Sequence, residues 1–238
     1  VFGYHAVIEA LKEGRGNKLF MAEDARGEKI DGLKEAARAQ SVPVKWVPKQ
    51  KLDQMSNQGV HQSVILAITP YEYLSLDELL AQTKEQSFYL ILDNLEDPHN
   101  FGSILRTADA SGVDGIIIPK HRAVGITPVV VKTSTGAVEH IPIARVTNLS
   151  QAIQQLKQAG FWIFGTDMKG TDYRLWNAQG AAGLIIGNEG RGMSEGLKKD
   201  VDEMLTIPMT GHVQSLNASV AAGLLMYQAF TSRNGAPQ

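Results

Sequence analysis

The alternation of hydrophobic and polar positions along this 238-residue chain changes rhythm near residue 88. Before that point short helical and extended patterns alternate. Residues 5–12 set Ala6, Ile8, Ala10 and Leu11 among polar neighbours and predict a short helix. Residues 18–22 predict a strand. The Ala-, Glu-, Lys- and Arg-rich stretch 28–40 predicts a second helix. Pro43 precedes a strand at 44–47, and 63–68 is a further apolar strand. Residues 69–87, with Pro70, Tyr71 and Tyr73, look like a connector holding a short amphipathic stretch at 76–80.

From residue 88 strand and helix patterns take turns. Strands are expected at 88–93, 115–119, 141–146, 161–166, 183–187 and 204–207, and helices at 101–110, 149–159 and 217–230. Several of the strands are unbroken apolar runs, as required when helices cover both faces of a parallel sheet. The expected organisation is α/β throughout: a small α/β domain at 1–68, a linker at 69–87 and a parallel-sheet α/β domain at 88–238, with a frayed tail at 233–238. No internal repeat is evident.

Composition narrows the function. Hydrophobic residues make up 43% and charged residues 20%, which suits a packed core. The absence of cysteine removes disulfides, thiolate nucleophiles and cysteine-based zinc sites together, and fits a cytoplasmic protein. The six histidines lack the close spacing of a helical metal pair, so no metal is expected. No apolar run approaches the roughly 18 residues of a membrane span, and no leader pattern is seen. The net charge of −2 does not advertise nucleic-acid binding. It is uneven, however: residues 1–70 hold 10 Lys and Arg against 8 Asp and Glu, and the remainder 13 against 17. Any RNA contact must use local patches, of which Lys120, His121, Arg122 and Lys132 form one candidate; ordinary solvated surface is an equal reading of them.

Three stretches carry candidate chemistry. In the first, residues 92–107, an apolar strand ends in a polar loop and a helix begins. Such loops are where parallel sheets bind ligands. Asn100 reads as the helix N-cap, and Arg106 shares a helix face with Gly102. In the second, Leu184 to Met193, a strand runs into a glycine-dense turn, where glycine permits close backbone approach. It is neither a dinucleotide fingerprint nor a phosphate-binding P-loop, which argues against a nicotinamide oxidoreductase or a nucleoside triphosphatase. Glu189 in the turn would repel phosphate and suits a cationic or hydroxyl-bearing ligand. In the third, a strand ends at Pro208, and a helix opens near Ser215 or Asn217 with small residues through Gly223 that allow close packing. Each stretch alone also reads as plain structure: a cap, a turn, a tightly packed helix.

Together and in this order they resemble the three motifs of the SPOUT superfamily, in its SpoU (TrmH-like) branch. Asn100, Gly102 and Arg106-Thr107 match the first motif. Gly187-Asn188-Glu189-Gly190 with Gly192 match the second, and Ile207-Pro208-Met209 with Ser215–Ala221 the third. The resemblance covers residues 88–232 and is closest to bacterial 23S ribosomal RNA guanosine 2′-O-methyltransferases. Gly3, Val7 to Leu11 and Gly59-Val60-His61-Gln62 are similar to the substrate-binding domain of those enzymes, which resembles RNA-binding ribosomal proteins of the L30 type.

The resemblance implies a deep trefoil knot, which general topology rules would not propose. It also implies S-adenosylmethionine as methyl donor, large-subunit ribosomal RNA as partner, and a homodimer with the final helix in its interface. Gly187, Ile207 and Leu216 would touch the donor mainly through backbone groups, with Thr166, Asn188, Gly190, Met209 and Asn217 beside it. A ribose 2′-oxygen would attack the sulfonium methyl, so the protein mostly aligns reactants. The resemblance implicates Arg106 in deprotonation; because a guanidinium gives up its proton only at great cost, fixing a phosphate and stabilising the developing alkoxide suits it better. Asn100 would orient the ribose, Glu189 would hold Arg106 or a hydroxyl, and Ser215 and Asn217 would bind substrate or support the pocket. The rival readings are a transfer RNA ribose methyltransferase of the same branch and a catalytically silent RNA-binding module.

Overall fold

A computed structural model describes residues 1–12, 14–68, 71–188, 192–212 and 215–235. The chain divides into two compact units, Val1–Glu72 and Tyr73–Gln238.

The first unit runs α1 (Tyr4–Lys12), β1 (Gly16–Ala22), α2 (Glu28–Ala39), β2 (Val44–Val47), α3 (Lys49–Met55) and β3 (Val64–Ile68). Its three strands lie in the order β2-β1-β3, with β1 parallel to β2 and antiparallel to β3. Alternation along β1 sends Leu19 and Met21 into a core with Leu11, Leu33, Leu52 and Leu66. Helix α3 was absent from the sequence reading because Leu52 is its one buried residue, so it has no apolar periodicity to detect. Within the stretch Gly59-Val60-His61-Gln62, His61 is buried: its Nε2 meets Asp53 Oδ1 at 2.9 Å and its Nδ1 accepts from the Ser63 amide. Gln62 accepts from the Tyr4 amide. These residues hold the loop together.

The second unit runs α4 (Leu76–Leu80), β4 (Phe88–Leu92), α5 (Pro98–Ala110), β5 (Gly115–Pro119), α6 (Pro128–Ser134), β6 (Ile143–Val146), α7 (Leu149–Gln158), β7 (Trp162–Asp172), β8 (Ala182–Ile186), α8 (Glu195–Lys198), β9 (Glu203–Thr206) and α9 (Ala218–Asn234). The six strands form one sheet in the order β6-β5-β4-β8-β7-β9, and every ladder is parallel. Strands β4, β5 and β8 are buried along their whole length, which explains their unbroken apolar runs. The strand order reverses beside β4, where β8 sits between β4 and β7; such a switch point leaves a crevice at the strands' carboxyl ends.

The connector expected at 69–87 is corrected by this arrangement. Beyond Glu72 its described part belongs to the second unit. Leu74 exchanges backbone hydrogen bonds with Ile143 and Arg145, and Leu76 and Leu79 are buried in the core. Ser75 opens α4 with a capping box to Glu78, and the Tyr89 hydroxyl donates to the Leu79 carbonyl. The short amphipathic stretch expected at 76–80 is α4, and its apolar side packs into the second unit.

Candidate active site

The first in-register run of β7, ending at Thr166, stands beside the carboxyl ends of β8 and β9, and a cavity of about 380 Å³ opens beyond them. Thr166, Asp167 and Met168 line it from β7, and Ile186, Gly187 and Asn188 from the end of β8. The segment after β9 adds Ile207 and Met209, and the lead-in to α9 adds Ser215, Leu216 and Ala218. Three segments far apart in the chain thus converge on one space, the second and third candidate stretches among them. Its volume suits a small organic molecule, and its walls are mostly apolar.

The predicted site residues distribute unevenly. Thr166, Gly187, Asn188, Ile207, Met209, Ser215 and Leu216 all line the cavity. Asn217, expected against the cofactor, does not. It is the N-cap of α9: its Oδ1 accepts from the Ser219 and Val220 amides, and its Nδ2 donates to Asn100 Oδ1 at 3.0 Å. Glu189 and Gly190 lie outside the described residues. Arg106 is exposed and is not among the lining residues.

Asn100 is not the cap of α5. Asp97 is: its carboxylate accepts from the His99 amide, and Pro98 occupies the first helical position. The helix therefore starts three residues early, which places Asn100 inside it, 6% exposed. Gly102 and Arg106, expected on one face, have different surroundings. A Cβ at Gly102 would stand 2.5 Å from Thr133 Cβ of α6, so glycine is what lets the two helices meet. Arg106 lies one turn further along and about 40° round, in solvent.

The glycine at 187 has a reason the sequence did not reveal. A Cβ there would overlap the backbone of Gly192 and Met193, where the chain returns past the end of β8. Asn188 and Gly192 close that return with two backbone hydrogen bonds, at 2.9 and 2.8 Å. The close approach is to the protein's own chain.

Two groups missed by the sequence reading organise this region. Asp93, 3% exposed at the end of β4, accepts from the Ser194 amide at 2.7 Å and from Asn94 Nδ2. Asn188 Nδ2 in turn donates to the Asn94 carbonyl at 3.0 Å. A carboxylate ending a fully apolar run was the available signal. The other group is Asp167, paired with Lys198 Nζ at 2.9 Å. The Lys198 hydrogen bond, helped by the Met168 amide, holds the Asp167 carboxyl below its ordinary range. Lys198 also meets Glu195 at 2.7 Å, and these two carboxylates push its ammonium upward. Among the described residues no group of three or more His, Cys, Asp and Glu side chains could hold a metal ion, and no helix is long and apolar enough to cross a membrane.

An all-parallel sheet with a cavity at its strand ends defines an α/β fold built to hold a small ligand. Comparison with known proteins makes this specific. Residues 87–227 match the model of the SpoU rRNA Methylase family, and residues 1–74 that of the RNA 2′-O ribose methyltransferase substrate-binding family. YacO of Bacillus subtilis (strain 168), assigned to the TrmH family of tRNA/rRNA methyltransferases, is 49% identical over 98% of this chain and 96% of its own. The AdoMet-bound rRNA methyltransferase of Sinorhizobium meliloti superposes with a TM-score of 0.66 at 28% identity, over 96% of this chain and 85% of that one. The SpoU methyltransferase AviRb of Streptomyces viridochromogenes, in complex with AdoMet, does so at 0.67 and 25% identity, over 99% and 90%. The chain belongs to the SpoU rRNA methylase family and is an RNA ribose 2′-O-methyltransferase.

Proposed function

We propose that the protein methylates the 2′-hydroxyl of a guanosine in 23S ribosomal RNA, with S-adenosylmethionine held in the cavity beside β7, β8 and β9. The observation carrying this reading is the convergence of Gly187, Ile207 and Leu216, from separate segments, on one cavity. Its residues fit the donor: Met168, Leu205, Ile207 and Met209 offer apolar surface for a purine, and the three strands offer backbone groups. Bound there, S-adenosylmethionine supplies an electrophilic methyl on a sulfonium.

The chain's own residues align and stabilise. Arg106, exposed on α5, binds a phosphate of the RNA and stabilises the developing alkoxide through a guanidinium that stays charged. The 2′-proton then leaves to phosphate or water. Asn100 acts through Asn217, since its buried amide is bonded to that cap and so steadies the start of α9 and the neighbouring Leu216. Ser215, on the cavity wall, faces donor or ribose, and Glu189 is assigned to a substrate hydroxyl. The first unit grips the RNA.

Val220, Leu224, Tyr227 and Phe230 are exposed along α9 while Ala222, Leu225 and Ala229 are buried, so the helix is apolar on both faces. This supports a homodimer through α9. The knotted path of the C-terminal chain is part of the same reading, as is a cytoplasmic place of work beside the ribosome.

Labelled methyl transfer from S-adenosylmethionine to unmodified 23S ribosomal RNA, with transfer RNA in parallel, tests the proposal. Label on one ribose of the ribosomal RNA is the expected result. Label on transfer RNA alone would overturn the substrate, and no donor binding at all would overturn the assignment of the cavity.

A further inference from the structure

Strands β7 and β9 pair in register through Thr166 and Leu205, then lose register until Thr171, which pairs with Leu205 again. Residues 167–170 are thus an excursion from the ladder, and bulges of this kind re-aim side chains near sites. It is tightly drawn: a Cβ at Gly170 would overlap the Met204 carbonyl. Asp167 is its first residue. It lines the cavity together with Lys198, and these are the charged side chains on the wall among the described residues.

We infer that Asp167 accepts a hydrogen bond from a ribose hydroxyl of the methyl donor and is a donor-recognition residue. This rests on the reading that the cavity holds S-adenosylmethionine.

The chemistry of the carboxylate selects this part of the donor. It offers about four lone-pair sites. Lys198 Nζ meets Oδ2 at 2.9 Å and the Met168 amide donates to Oδ1 at 2.6 Å. Lone pairs remain on the carboxylate to accept from a hydroxyl. The donor's ammonium or sulfonium is a poorer match, because Lys198 already neutralises the carboxylate and a second cation gains little there. A ribose hydroxyl needs only a lone pair. Asp167 stands where the first run of parallel pairing in β7 stops, a placement comparable to the strand-end carboxylate that meets a ribose in dinucleotide folds. Lys198, itself held by Glu195, fixes the carboxylate in one orientation.

The test is calorimetric titration of the full-length protein with three ligands: S-adenosylhomocysteine, 5′-methylthioadenosine and the 2′,3′-dideoxyribosyl form of S-adenosylhomocysteine. The unsubstituted protein should bind the dideoxy form roughly tenfold more weakly than its parent, the scale of one hydrogen bond to a charged group. Asp167→Ala should weaken S-adenosylhomocysteine and methylthioadenosine by a similar factor and leave the dideoxy form unchanged. Loss confined to S-adenosylhomocysteine would place Asp167 at the amino-acid end and overturn the inference. Equal loss for all three ligands would mean a merely structural role, and no loss for any would mean no contact; either overturns it. Should the Ala variant not fold, lack of discrimination against the dideoxy form by the unsubstituted protein overturns it independently. If the unsubstituted protein binds none of the three, the cavity assignment itself is wrong, a failure distinct from the others.

Discussion

At the scale of single residues, the side chains divide by what they touch. Gly187 and Gly102 are glycines because protein atoms occupy the space of a Cβ, backbone in one case and Thr133 in the other. Asn100 and Asn217 bond to each other and so join the first and third candidate stretches. Arg106 is the exposed cation of the first stretch and contributes nothing to the cavity wall. Arg106→Ala is therefore expected to lower methyl transfer by roughly 10²-fold or more, the cost of removing one stabilising donor from a developing anion. Affinity for S-adenosylhomocysteine and the melting temperature should stay unchanged, as befits an exposed side chain. Lost affinity in calorimetry would contradict that separation of roles.

At the scale of elements, α9 depends on its N-cap. Asn217 satisfies two of the free amides at the helix start and donates across to α5. Asn217→Ala should lower the unfolding free energy by roughly 1–2 kcal/mol, the range for a lost cap. Asn217→Asp keeps the capping acceptor and should cost less. Denaturant melts of the two variants decide this, and an unchanged midpoint for the alanine variant would show that the cap carries no weight. Strand β7 makes a different point. Its apolar run is readable to Thr166, but the excursion at 167–170 and the resumed pairing of Thr171 with Leu205 depend on β9, 34 residues further along the chain.

At the scale of the whole molecule, each unit has an apolar core of its own, one drawn from residues 7–66 and the other from 76–197. A truncated protein spanning 73–238 should therefore fold and keep affinity for S-adenosylhomocysteine. It should bind target RNA roughly tenfold or more weakly, with a shallower dependence on salt, because phosphate contacts are lost with the first unit. Equal RNA affinity in a filter-binding titration would show that the first unit does not supply it.

What the sequence determined by itself was whatever is local or carried by burial. Strands β4, β5 and β8 were legible because both faces are covered and every side chain is apolar. The three candidate stretches were legible because glycines, a proline and polar side chains interrupt those runs at strand ends. Pro98, suited to a first helical position, is a local signal that Asp97 rather than Asn100 caps α5. The meaning of the stretches was not local. The sequence could not show that Leu74 bonds to β6, that Asp93 ties down the return after β8, or that Asp167 and Lys198 share a wall with Gly187. Those facts depend on which strand ends stand side by side. The order β4-β8-β7-β9 places residues 93, 167, 187 and 207 near one another across more than a hundred positions of chain, and only tertiary pairing sets that order.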